Sequence, residues 1–198
     1  MLTKTLDFEK EISGFIPDNH QEANDQKVIL EFIHRFQDDV LLRDNEIAHL
    51  TSSGFIMNPA LNKVLLVHHN IRNTWAWTGG HADGDPNLLH VAIREAREES
   101  GVSEIRPLYE GIASIDILPV FGHERRGKYV SAHLHLSVAY ILICDELQAL
   151  RAKPDENTGV SWFETEKFTL QLFDAPDVYL YNKLIKKAIS MANSTANL

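Results

Sequence analysis

A chain of 198 residues, 44% hydrophobic and 24% charged, can bury one substantial core and is short for two. Its 19 basic and 28 acidic side chains leave a net charge of −9, which argues against a protein that grips a nucleic acid polymer by broad phosphate neutralisation. A small phosphate compound stays compatible with that balance, because a metal ion can supply positive charge locally.

Residues 1–15, MLTKTLDFEKEISGF, contain no uninterrupted apolar stretch of the signal-peptide kind. No later segment approaches the roughly eighteen apolar residues that span a bilayer. The expectation is a cytoplasmic protein without a membrane partner. Its oligomeric state stays open, a homodimer included.

Residues 19–42 read as a helix, with Val28, Ile29, Phe32, Ile33, Phe36 and Val40 at helical spacing. A hairpin follows, its arms 53–57 and 63–67 flanking the turn formers Asn58 and Pro59. Residues 73–78 look extended, with Trp75 and Trp77 on one strand face. One or both could stack on a base, although a core position is expected for at least one. A central helix should open near Pro86 with Asp85 as its N-cap, and close at Gly101.

Strands are expected near 108–118 and 130–144, joined by the charged loop 121–128. The single cysteine, Cys144, lies in the apolar run 138–144 and reads as a buried, inert thiol. A polar loop, 152–159, precedes a short strand at 160–163. The last helix is expected over 175–191, with Val178, Tyr181, Ile185, Ala188 and Ile189 as its apolar stripe. Residues 193–198 read as a fraying tail.

The central helix carries an unusual charge pattern. At 100° per residue, Glu98 and Glu99 fall roughly 60° and 40° to either side of Glu95. Leu89, Ala92, Ile93 and Ala96 form an apolar stripe opposite. Three carboxylates on one arc repel each other unless a cation sits among them. Arg94, four residues before Glu98, is spaced to pair with it. A solvated acidic face would explain such a run in isolation. Directly upstream, however, lies GGHADGD, a turn whose glycines allow close backbone approach.

Gly80 and the run Arg94-Glu95-Ala96-Arg97-Glu98-Glu99-Ser100-Gly101-Val102 resemble the Nudix box, G-x5-E-x7-R-E-U-x-E-E-x-G-U with U aliphatic. The spacing from Gly80 to Arg94 is the family's own. Pro86 stands where the box has its first glutamate, with Asp83 and Asp85 nearby, and Thr78 stands where a proline often precedes Gly-Gly. The resemblance implies a Nudix-type α/β/α sandwich with a mixed sheet over residues 45–192. Residues 1–44 would form a mainly helical extension packed on it. It further implies metal-dependent hydrolysis of a phosphoanhydride in a nucleoside diphosphate linked to another group. Glu98 and Glu99 would bind Mg2+ or Mn2+, and Glu95 would bind metal or help activate water. A Gly79 or Gly80 carbonyl would add a ligand, and Arg94 would orient the glutamates. A non-catalytic sensing domain on the same scaffold is the alternative.

Other residues carry two readings each. Glu156, in the polar loop, is a solvated side chain or, by the same resemblance, an extra ligand or base. His133 and His135 share one strand face and could touch substrate phosphates, or pair by hydrogen bonds within the sheet. A zinc site there is disfavoured, since no cysteine accompanies them and the spacing fits no standard finger. His81, next to Gly80, would lie near the metals and contact substrate. Arg126, in the basic cluster with Arg125 and Lys128, could reach a phosphate or sit at a solvated hairpin tip. His68, His69, His90 and His123 read as surface or loop residues.

Overall fold

The computed structural model describes residues 7–125 and 127–195, so Arg126 lies outside the described residues. The chain runs through α1 (Asp7–Gly14), α2 (His20–Phe36), a 3-10 turn (Gln37–Leu41), β1 (Ala48–Met57), β2 (Lys63–His69), β3 (Thr74–Ala76), β4 (Thr78–His81) and α3 (Leu88–Ser100). It continues with β5 (Ile105–Pro107), β6 (Ser114–Val120), β7 (His123–Arg125), β8 (Lys128–Val130), β9 (His133–Cys144), β10 (Asn157–Glu164) and α4 (Ala175–Thr195).

Strand β9 shows how the layers arise. Successive side chains on a strand point to opposite faces. Leu136, Val138, Tyr140, Leu142 and Cys144 enter one core, shared with α1, α2 and α3. Ala139, Ile141 and Ile143 enter a second core, shared with Leu180, Tyr181, Leu184 and Ala188 of α4. The sheet therefore lies between α1–α3 on one face and α4 on the other, an α/β/α sandwich. β1 and β9 pair in parallel from Ala48–Leu134 to Met57–Ile143, while β2, β4, β5, β6 and β10 pair antiparallel, giving a mixed sheet.

Strand β6 lies at an edge, and α2 covers it. Gln21 donates to the Ile115 carbonyl at 3.2 Å, and Asp25 accepts the Ile117 N–H at 3.0 Å. Edge groups left open would invite pairing with another chain. Beside this edge, α2 and α4 are joined by buried charges. Lys187 donates to both Glu22 oxygens, at 2.8 and 3.0 Å, and to the Ala113 carbonyl at 2.7 Å. Lys183 donates to Asp116 at 2.6 Å. Phe8 and Ile12 of α1 are fully buried in the first core, so the N-terminal helices are built into the sandwich.

Several elements depart from their sequence expectation. The α-helix over 19–42 stops at Phe36, because Gln37 takes a left-handed φ of 51° and the chain tightens into a 3-10 turn. The strand expected near 108–118 is split, since Leu108 and Ala113 each bond to β9 while the residues between bend away. The extended segment 73–78 becomes two strands, β3 on β2 and β4 on β1. Trp75 and Trp77 both pack on the second core, against Phe163 and Tyr181. The charged loop 121–128 holds the hairpin β7–β8, and the last helix continues to Thr195.

Helix α3 begins two residues after Pro86. Its cap is Asn87, whose side chain accepts the His90 N–H, while Asp85 accepts the Asn87 N–H in the turn before. Its end is as expected. Gly101 adopts φ 77° and its N–H returns to the Arg97 carbonyl. A Cβ at Gly101 would lie 2.8 Å from the backbone nitrogen of Arg151. Gly101→Ala is expected to cost at least about 1–2 kcal/mol from the left-handed backbone alone. A urea unfolding midpoint unchanged from wild type would contradict this.

Candidate functional site

The site is assembled where β4 passes beneath α3. Gly79 and Gly80 pair with Ser53 and Ser52 of β1, and neither position has room for a side chain. A Cβ on Gly80 would come within 2.5 Å of the Glu95 carboxyl carbon. Glycine here lets Glu95 lie directly on the strand. One turn on, Glu99 is only 5% exposed, and its Oε2 accepts the Gly79 N–H at 3.1 Å. Glu99 thus belongs to the buried side of α3 with Val91, Ala92 and Ala96, a position its spacing from Glu95 leaves undetermined.

The third carboxylate comes from a distant loop. Glu156 and Asn157 both return their N–H to the Lys153 carbonyl, forming a tight turn. Asn157, itself buried, donates its side-chain amide to the Glu99 carbonyl at 2.9 Å and docks that turn on the end of α3. One oxygen each from Glu95, Glu99 and Glu156 all lie within 4.8 Å of one another. Glu98 is outside this trio. It is half-exposed and accepts from Lys153 Nζ at 3.0 Å, and the same ammonium reaches Glu156 at 3.1 Å.

Arg94 pairs with its neighbour Glu95 at 2.9 Å, not with Glu98 as the four-residue spacing implied. The Glu95 carboxylate turns towards β4 and takes the guanidinium with it, whose Nη2 also lies 3.5 Å from the His81 carbonyl. Asp85 stands 3.7 Å from Arg94 and 2.8 Å from His90. Asp83 is taken up elsewhere, in a two-pronged pair with Arg43 at 2.7 and 2.6 Å.

Burial dominates the electrostatics of Glu99 and Glu95. Burial pushes the Glu99 carboxyl up to about 8, helped by the charges of Glu95 and Glu156 and opposed by the Gly79 N–H. Burial also raises Glu95, against the pull of Arg94. Burial alone would lower the Lys153 ammonium, but its bonds to Glu98 and Glu156 outweigh that and raise it. Three converging carboxylates, all hard oxygen donors, fit a divalent cation such as Mg2+ or Mn2+.

The histidines do not join this group. Because Gly80 faces Glu95, alternation along β4 turns His81 to the opposite face of the strand. There its ring meets His135 of β9 and His49 of β1, and His133 lies beside both of those. Sequence reasoning missed His49, Lys153, Asn157 and Arg43. His49 alternates with buried Ala48 and Leu50, as a strand residue on a second face would, but nothing in its spacing points to His81 or β9.

The NUDIX domain model matches residues 48–184 of this chain. No curated protein matches it. Among solved structures, a binary complex of a C. elegans Ap4A hydrolase superposes with a TM-score of 0.50 at 16% identity, over 73% of this chain and 98% of that one. A NUDIX-family hydrolase from Clostridium perfringens gives 0.50 at 18% identity, over 70% and 96%. The MutT protein from Methanosarcina mazei Go1 gives 0.50 at 19% identity, over 72% and 96%. At these identities the likeness is one of fold.

Proposed function

The chain belongs to the NUDIX family, and on that premise we propose that it is a pyrophosphohydrolase dependent on Mg2+ or Mn2+. Its substrate would be a small phosphoanhydride, a nucleoside diphosphate linked to another group. The catalytic unit we infer spans residues 45–192. One observation carries the proposal: carboxylate oxygens of Glu95, Glu99 and Glu156 converge within 4.8 Å, beside a glycine that Glu95 lies against.

Glu95, Glu99 and Glu156 would hold a divalent cation, which would neutralise diphosphate charge and make a bound water more acidic. The chain's own groups do the positioning. Arg94 fixes one oxygen of Glu95. The Gly79 N–H fixes one oxygen of Glu99. Asn157 holds the Glu156 turn against α3, so the third carboxylate keeps its distance from the other two. Lys153 holds Glu98, by resemblance a further ligand, beside Glu156. Asp85, close to Arg94 and His90, is our assignment for the support that the first box glutamate gives elsewhere in the family. Hydrolysis at phosphorus draws mainly on such positioning and on charge stabilisation.

A panel of phosphoanhydrides, assayed with Mg2+ and with chelator, tests this reading. Wild type is expected to release product only with the cation. Glu156→Gln is expected to lower turnover by more than the roughly tenfold to hundredfold that follows loss of a residue behind a metal ligand, with its fold intact by circular dichroism. Tight binding across the panel without turnover would overturn the enzyme reading in favour of a sensing domain.

A further inference from the structure

The four histidines on the far face of β4 form a cluster that the hydrolytic reading does not use. Register brings them together. The parallel pairing of β1 and β9 sets His49 directly against His135. The antiparallel pairing of β1 and β4 sets His81 against Thr51, two residues along the same face of β1. His133 precedes His135 by one alternation. His49 lies 4.9 Å from His81, 4.9 Å from His133 and 5.3 Å from His135, between ring centroids. His135 lies 4.9 Å from His81 and 5.2 Å from His133.

A satisfied sheet cluster would show ring nitrogens bonded to one another or to the backbone. Here the nitrogens held are the outer ones of His49 and His133. His49 Nδ1 is 3.0 Å from the Asn45 carbonyl, and His133 Nδ1 is 2.8 Å from the Ser131 carbonyl. A carbonyl can only accept, so each of these Nδ1 atoms carries a hydrogen, and in the neutral ring Nε2 is then the nitrogen with the lone pair. His49 is only 4% exposed, and its Nε2 is buried with no hydrogen-bond partner, as is the Nε2 of His135. A buried polar atom left so is costly. A backbone carbonyl behind an imidazole whose other nitrogen is left open is the usual support of a metal-ligating histidine.

We propose that His49, His81, His133 and His135 bind one divalent transition metal, with Zn2+ the best fit, in a tetrahedral site of four imidazoles. One ring nitrogen from each lies within 4.8 Å of the others. Zinc–nitrogen bonds of about 2.0–2.1 Å space tetrahedral ligands roughly 3.4 Å apart, so modest rotation of the rings closes the set. Nitrogen donors favour Zn2+, Ni2+ or Cu2+ over Mg2+ and so separate this site chemically from the carboxylate trio. Four protein ligands leave no open position, which makes the site structural. It fastens β4, the strand that carries Gly79 and Gly80, to β1 and β9. Arg43 is a nearby opposing cation, and its two-pronged pair with Asp83 offsets part of its repulsion.

The test is spectroscopic and does not depend on hydrolysis. The full chain, prepared without a histidine tag and stripped with chelator, is titrated with Co2+ and then Zn2+. Wild type is expected to develop the intense visible bands of tetrahedral cobalt, saturating with one ion at the histidines whatever the carboxylates take up, and to lose them on adding Zn2+. His81→Gln and His133→Gln, at partly exposed positions, are each expected to weaken binding about a hundredfold or more. The double variant is expected to show no bands while its far-UV circular dichroism stays native. Glu99→Gln is expected to bind Co2+ as wild type does. Absence of the bands in wild type, their persistence in the double variant, or their loss in Glu99→Gln would overturn the assignment.

Discussion

Glu99→Gln is expected to lower hydrolysis by on the order of 10²–10³-fold or more, comparable to deleting a main electrostatic contact to the transition state. The side chain is buried on β4 and its amide oxygen can still accept the Gly79 N–H, so shape and fold survive while the charge is lost. The carboxyl also predicts a pH signature. Its folded value is pushed up to about 8 from an ordinary 4.5, by burial first and then by Glu95 and Glu156. A raised folded value means the group's favourable contribution is complete below the unfolded value and disappears as pH rises through the folded one. Relative to Glu99→Gln, the metal-free wild type should therefore lose stability between about pH 4.5 and about pH 8, by on the order of several kcal/mol. Binding of Mg2+ requires the deprotonated carboxylate, so wild-type affinity should climb across the same window. Thermal midpoints measured in chelator, with calorimetric Mg2+ titrations, check both. Parallel pH curves for the two proteins would contradict the assignment of Glu99.

Lys187→Ala is expected to be the most destabilising single change outside the site. It would take from Glu22, fully buried, the ammonium that meets both its oxygens, leaving it Lys183 at 3.4 Å, the Ser114 hydroxyl and the Asp18 N–H. Breaking one side of a buried pair typically costs about 3–5 kcal/mol, whereas replacing both partners by apolar groups of similar size is often near neutral. Lys187→Met combined with Glu22→Leu should thus recover much of what Lys187→Ala loses. Burial alone would raise the Glu22 carboxyl, but its bonds to Lys187 and to the Asp18 N–H win and lower it. That depressed value makes the contribution of Glu22 present above about pH 4.5 and lost as the medium turns more acidic. Guanidinium unfolding of the three proteins decides the matter. A double variant as unstable as Lys187→Ala would show that packing, and not the stranded charge, sets the cost.

Much of the fold was legible because it follows from local periodicity. The alternation along 133–144 and the helical stripes of 20–36 and 175–195 each answer to a repeat of two or 3.6 residues, and Gly101 answers to a single backbone requirement. The box spacing brought Glu95, Glu99 and Gly80 into view for the same reason. What stayed hidden depends on pairings between distant segments. Helical angles put Glu98 and Glu99 on equal terms around Glu95, and only the sheet beneath α3 decides that Glu99 is buried and Glu98 is left to Lys153. Arg94 was read by its spacing to Glu98, but β4 draws Glu95 within its reach. His49 lies 86 residues from His135, and only the parallel register of β1 and β9 makes them neighbours. Loop residues such as Asn157 carry no periodic signal at all.

The ion pair between Glu22 and Lys187 has a bearing on descent. Glu22 precedes the stretch matched by the family model and Lys187 follows it. Lys187 sits on α4, a helix that the match enters at its first residue, so a leading segment outside the match is answerable to a helix of the matched domain. Loss of the leading helices would leave Lys187 with the Ala113 carbonyl but without Glu22, so this acid and this base are expected to be inherited, or replaced, as a couple.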